Sequence, residues 1–170
     1  IVFKDFVSGS TTPLDHGLDH HGSMMAGILI ADGHLKGAAT GISLSVAAAL
    51  GERQGMETVG DTTLVAQAID WCIEERSADI ISLSLGGMQN SDGNTSSEVE
   101  NAVMGALEKG VYVVAAAGND GGIDDDGLVS SPANVPLVIA VGAVQKGGQI
   151  WESSSRDDSI TDGQGNNRTD

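Results

Sequence analysis

The chain has 170 residues, one domain's worth of sequence and enough to bury a sizeable core. Apolar residues make up 40% of it but aromatics only 3%, so the core must be built from Ala, Val, Ile and Leu. Eight basic residues against 24 acidic ones leave a formal charge of −16, a surface that repels nucleic acid and anionic membrane and argues against both as partners. The acid is dispersed rather than gathered in a tail, which reads as a solubilising, hydrated surface. High Asp, Gly and Ala with only four lysines resembles the halophilic-like composition of proteins from high-salt surroundings, where counterions screen self-repulsion. Cys72 is the single cysteine, so no disulfide forms within the chain. No signal peptide and no apolar run of membrane-spanning length is present. The opening at Ile1-Val2-Phe3 reads as mid-domain, so the missing export signal says nothing about location.

Residues 1–20 alternate poorly and contain Gly9, Pro13 and Gly17, which predicts a short strand or extended arm and then a loop. That loop carries Asp15, His16, Asp19, His20 and His21. From His21 to Ala31 small and apolar residues predict a buried helix, stopped by Asp32-Gly33. Ile42 to Leu50 is a short apolar run that predicts a buried strand. Asp61 is a good N-cap for a helix over 62–77, with Leu64, Val65, Ala68, Ile69 and Cys72 on one face and Cys72 as a small buried apolar residue.

Asp79 to Leu85 is the next predicted strand, closed by Gly86-Gly87, and 88–96 is a polar loop. Ser97 and Glu100 have capping-box spacing at the head of another helix, whose stripe is Val99, Ala102, Val103, Ala106 and Leu107 and whose stop is Lys109-Gly110. Val111 to Ala117 and Leu137 to Val144 are near-continuous apolar runs of strand length, the pattern of strands covered on both faces of a parallel sheet. This rhythm predicts an α/β, doubly wound, mostly parallel sheet with helices on both faces. From about Lys146 the chain turns polar, and Thr161 to Asp170 reads as loop or disorder.

Ligands of such sheets gather at the carboxyl ends of the strands. Ser84-Leu85-Gly86-Gly87 and Ala117-Gly118-Asn119 both fall there, and a helix opening at His21 can present an imidazole to a cleft. A proton carrier and a neutral amide donor suit acyl transfer. Each has a plainer reading: a lone histidine is usually an ordinary polar residue, and Asn119 with Gly118 can cap a turn.

At these residues the chain resembles the subtilisin-like serine peptidases, or subtilases. His21-Gly22-Ser23-Met24-Met25-Ala26-Gly27 stands where that family has His-Gly-Thr-His-Val-Ala-Gly. Ala68-Ile69-Asp70-Trp71 with Asp79-Ile80-Ile81-Ser82-Leu83-Ser84-Leu85-Gly86-Gly87 is similar to its helix and substrate-edge strand. Val113-Val114-Ala115-Ala116-Ala117-Gly118-Asn119 is similar to its oxyanion-hole strand, and Pro136 to Val144 to the strand that follows. The resemblance runs over residues 1–155, a partial catalytic domain, with 156–170 as a polar, flexible tail. It implies that His21 is the general base and Asn119 the oxyanion donor. It further implies that Ser84, Leu85 and Gly86 pair with substrate backbone as an added strand, and that Ala116, Ala117 and Gly118 line the pocket for the side chain before the scissile bond.

The departures carry equal weight. The family's Asp-Ser/Thr-Gly motif upstream of the histidine is absent, and Asp5, Asp15 and Asp19 lack its context. The Gly-Thr-Ser-Met-Ala nucleophile motif is absent too, and Ser153, Ser154 and Ser155 sit in a polar segment without it. The expectation is an internal fragment of a catalytic domain, holding the His and the oxyanion Asn of a Ser-His-Asp mechanism and inactive alone. The missing aspartate strand is central in the family's sheet, so self-association through unpaired sheet edges is expected. The partner implied is a peptide or protein substrate, and an extracellular location is favoured by the resemblance. No cofactor is required, and a structural calcium is disfavoured because Asp32-Gly33 leads directly to Leu35-Lys36-Gly37, deleting the usual loop. Three alternatives stand: a transition metal on His16, His20 and His21 with Asp15 and Asp19; calcium on the acidic loop Asp120 to Gly127; and a non-catalytic, peptidase-derived binding or assembly module.

Overall fold

The computed structural model describes residues 1–17, 19–52, 58–87, 97–122 and 127–156. Its contacts divide the chain into two compact units, Ile1–Ser77 and Ala78–Asp170. The polar loop expected at 88–96, the last ten residues and the middle of the acidic loop lie outside the described residues.

In the first unit, β1 (Val2–Asp5) runs parallel to β2 (Ser45–Ala48), from Val2 opposite Ser45 to Asp5 opposite Ala48. Between them comes α1 (His21–Ile30), and after them β3 (Leu50–Glu52) pairs antiparallel with β4 (Thr58–Gly60). Then α2 (Thr62–Glu74) begins where Asp61, in extended conformation, accepts from Thr63 N–H at 2.8 Å. That cap satisfies an orphan amide of the first turn and contributes about 1 kcal/mol. Val65, Ala68, Ile69 and Trp71 of α2 are buried. Trp71 also meets Phe6 edge-on at 6.1 Å between ring centres. Lys4 lies over both rings and reaches Glu75 at 3.0 Å. Cys72 is only half-buried, and burial pushes its thiol pKa up against the opposing influence of Arg76. It therefore stays protonated at neutral pH.

The carboxylate of Asp5 is the polar centre of this unit. It is buried and accepts from the Val7 and Ser8 amides at 2.9 Å each and from Ser8 Oγ at 2.6 Å. His16 Nε2 stands 2.8 Å from its second oxygen. Burial alone would raise its pKa, but the bonds from Ser8, His16 and Val7 outweigh that and hold the carboxyl below the usual carboxylate range.

In the second unit, β5 (Ile80–Leu83), β6 (Tyr112–Ala116) and β7 (Ile139–Val141) form a parallel sheet in that order. Leu83 lies opposite Ala115, and Ala116 opposite Val141. The crossover helix α3 (Ser97–Glu108) follows β5 and packs on β6. Its stripe at spacings of four and three, Val99, Val103 and Ala106, is buried, the last two completely. It meets the sheet face made by Ile81, Leu83, Val113 and Ala115. Gly110, at φ +80°, closes the helix, with its N–H on Leu107 O at 2.9 Å.

The fold is α/β with parallel sheets, and three details depart from expectation. First, α1 has no buried residue, although its composition predicts a buried helix, and Ile28 is 60% exposed. Hydropathy records which residues favour burial, not whether a surface exists to bury them. Second, Ile80 and Tyr112, whose side chains alternate with the buried ones on β5 and β6, are 62% and 66% exposed. An apolar run therefore does not require each of its side chains to be buried. Third, the strands are shorter than the apolar runs that contain them. The last starts only at Ile139, because Leu137 takes a left-handed φ of 73° that no strand permits.

Two outcomes follow. Val103→Ala should lower stability by roughly 2 kcal/mol, read as a lower urea midpoint at unchanged slope, whereas Met104→Ala on the exposed side should shift it by less than about 0.5 kcal/mol. The depressed carboxyl of Asp5 adds stability that is fully present above its unfolded pKa of about 3.9 and is lost as pH falls below that value. Circular dichroism across an acid titration should show Asp5→Asn with a lower neutral-pH stability and a flatter fall below pH ~4.

Candidate active site

The first unit supplies His21. It opens α1 behind His20, whose φ of 54° is left-handed. Two aspartates hold the turn. Asp15 accepts from Ser23 N–H at 2.7 Å and Gly17 N–H at 3.2 Å, and Asp19 from His21 N–H at 3.1 Å. Carboxylates at the positive end of a helix are favourable. Burial raises the pKa of Asp15, but the Ser23 hydroxyl and amide, the Gly17 amide and the charge of His20 outweigh it and keep the group low. His21 is half-buried in this turn.

At the far end of α1 the chain doubles back at once. Gly37 N–H bonds Ala31 O at 2.7 Å and Ala38 N–H bonds Ile28 O at 2.8 Å, while Lys36 pairs with Asp32. A Cβ on Gly37 would come within 2.5 Å of Leu29 O, so only glycine fits this return. Among the described residues, no group of three or more His, Cys, Asp or Glu could hold a metal ion. Of the suggested metal set, His16 faces Asp5 and Asp15 accepts from the Ser23 amide of α1.

The second unit supplies the remaining candidates, and the sheet brings them together. Because Leu83 and Ala115 are register partners on parallel strands, Ser84, Leu85 and Gly86 leave β5 beside Ala116, the last residue of β6, after which come Ala117, Gly118 and Asn119. Ser82, Leu83, Ser84, Val114, Ala116 and Val141 line a pocket there. Ala117 N–H continues the ladder to Val141 O at 2.9 Å, and Ser130 N–H caps Ala117 O at 2.7 Å. Gly87 N–H bonds Ser131 O at 3.0 Å, and a Cβ on Gly86 would press Ser130 at 3.1 Å. Gly118 has φ +119°, and a Cβ there would meet the Oγ atoms of Ser130 and Ser155 at 2.4 Å each. Asn119, next along, is exposed.

Sequence reasoning missed the buried parts of this loop. Ser154 and Ser155 read as members of a polar segment without a motif, yet both are buried. Ser154 Oγ accepts from Ala143 N–H at 2.9 Å, and Ser155 binds the Gly118–Asp120 backbone and the Asp120 carboxylate. Serine buried by hydrogen bonds leaves no hydropathy signal. The Asp5–His16 pair was equally hidden, although the Asp5-Phe6-Val7-Ser8 spacing is that of a local side-chain turn.

The model of the subtilase family, Peptidase_S8, matches residues 4–170. The major intracellular serine protease of Bacillus subtilis (strain 168) is 35% identical over 144 residues, 82% of this chain and 42% of that protein. The thermophilic serine proteinase of Bacillus sp. (strain AK1) is 38% identical over 146 residues, 84% of this chain and 32% of that protein. The chain thus spans well under half the length of these relatives. Among solved structures, sphericase superposes with a TM-score of 0.70 at 28% identity, over 91% of this chain and 52% of its own. The S218A mutant of the PatA protease domain does so with 0.75 at 23% identity, over 91% and 54%, a likeness of fold alone. With the family model covering nearly the whole chain and the subtilisin-like fold found in its neighbours, the chain belongs to the subtilase family.

Proposed function

We propose that this chain is part of a serine endopeptidase, holding the general base and the oxyanion donor of a Ser-His-Asp mechanism but not its nucleophile or orienting aspartate. The observation that carries the reading is the convergence at the ends of β5 and β6. An exposed Asn119 follows a glycine in a conformation only glycine takes readily, beside Ser84–Gly86 with a pocket underneath. In this reading His21 takes the proton of the attacking serine and later gives it to the leaving amine. Asn119 donates its side-chain N–H to the oxyanion of the tetrahedral intermediate, typically worth about 3 kcal/mol of barrier. Ser84, Leu85 and Gly86 offer backbone groups to an extended peptide, and Ala116, Ala117 and Gly118 leave room for the side chain before the cleaved bond.

Neither an Asp-Ser/Thr-Gly nor a Gly-Thr-Ser-Met-Ala motif occurs in the 170 residues, so the chain by itself does not turn over peptides. No step is assigned to a metal. Self-association belongs to the same reading: β5 has a partner on one side only among the described residues, and β1–β2 stands as a separate pair. A free parallel edge recruits another strand. Export is proposed from the family resemblance, although one relative is named as an intracellular protease.

The 170-residue chain should neither hydrolyse a fluorogenic peptide above background nor take up a serine-directed fluorophosphonate. Labelling of any serine would overturn its inactivity. In an intact enzyme carrying the Asp and Ser motifs, His21→Ala should reduce kcat by at least about 10³-fold and Asn119→Ala by roughly 10² to 10³-fold with little change in KM. An intact protein that never cleaves peptides would favour the binding or assembly module instead. Sedimentation of the chain should give a mass above the monomer that rises with salt, as the charge of −16 is screened. A strict monomer at every ionic strength would remove the self-association.

A further inference from the structure

Ser155 bonds to both residues that flank Asn119. Its own N–H donates to Gly118 O at 3.2 Å, on the near side of Asn119. Its Oγ accepts from Asp120 N–H at 3.3 Å, on the far side, and donates its hydrogen to the Asp120 carboxylate. One buried residue, 4% exposed, therefore fixes the peptide groups that precede and follow the candidate oxyanion residue. The fit leaves no slack: a Cβ on Gly118 would stand 2.4 Å from this same Oγ. The next turn is tied in the same way, with Gly121 N–H on Ser153 O at 3.2 Å.

The clamp is anchored rather than floating. Ser154, 2% exposed, accepts from Ala143 N–H at 2.9 Å just beyond β7, and Trp151 N–H bonds Ala143 O at 2.9 Å. The segment 151–155 is thus fastened to the end of β7 by one serine and to the Asn119 loop by the next.

We infer that Ser155 is a positioning residue that aims the Asn119 side chain by clamping the backbone on either side of it, with Asp120 as the acceptor that orients the serine hydroxyl. The inference rests on the reading of Asn119 as oxyanion donor. A hydroxyl suits the task because it accepts and donates at once, whereas alanine would leave the Asp120 amide and carboxylate without this partner. Preorganisation is what such a donor requires, since a misplacement of about 1 Å can cost as much as 100-fold in rate.

The test uses two readouts. In the 170-residue chain, Ser155→Ala should move the backbone and side-chain amide resonances of Asn119 and speed hydrogen exchange of the Asp120 amide at least tenfold. Ser155→Thr, which keeps the hydroxyl, should restore both. Asp120→Asn is the second variant should Ser155→Ala fail to fold, and should shift the same Asn119 resonances. Unmoved Asn119 resonances in a folded Ser155→Ala or Asp120→Asn chain would overturn the clamp, whatever Asn119 does. In the intact enzyme, Ser155→Ala should lower kcat roughly 10- to 100-fold at constant KM and add nothing to Asn119→Ala. If Asn119→Ala slows the enzyme and Ser155→Ala either does not or adds its full effect on top, the clamp fails. If Asn119→Ala is itself without effect, the oxyanion reading fails instead.

Discussion

The parallel registration of β5 on β6 is the constraint on which the candidate site of the second unit depends. Four register pairs, from Ile80 opposite Tyr112 to Leu83 opposite Ala115, bring the two strands to an end within one residue of each other. Whatever follows each strand must then share one rim of the sheet. The register is held from the other side by α3, whose fully buried Val103 and Ala106 pack toward Val113 and Ala115. A slip of one residue would turn Ile80, Ser82 and Tyr112 to the helix and expose the core, so hydrophobic burial specifies the alignment of the rim. Side chains well away from any chemistry thereby decide where Ser84 and Asn119 stand.

Local signals were the legible ones. The Asp61 cap, the stripe of α3 and its Gly110 stop follow from a few neighbouring residues, and each is where the pattern puts it. The order of strands and helices gave the α/β class, and ordered motifs gave the family. Features that depend on which distant backbone returns to a residue were not legible. His16 meets Asp5 across eleven positions, and Ser155 meets Asp120 across thirty-five. The apolar stripe of α2 does not include Trp71, yet Phe6 from the start of the chain comes to it. Conversely, α1 and the strands are less buried than their apolar runs imply, because an apolar run states a preference whose fulfilment depends on a partner surface.

Charge shapes the molecule in a different way from burial. With so few cations, those that pack are used locally. Lys4 sits over Phe6 and Trp71 and pairs with Glu75, Lys36 pairs with Asp32, and Arg76 lies over Trp71 and bonds Ser45 Oγ. Exposed pairs of this kind contribute at most about 1 kcal/mol each and leave the net field intact. The acid is therefore largely uncompensated, and its influence falls on encounters with other molecules rather than on the fold.

His20 carries a consequence of another sort. Its left-handed backbone lets α1 begin at His21, yet such a conformation costs a residue with a Cβ roughly 1–2 kcal/mol. Glycine would adopt it without that penalty. Position 20 therefore holds an unspent reserve: the turn that presents the imidazole is kept by its hydrogen bonds against a local preference. The choice of residue there sets how readily the start of α1 frays.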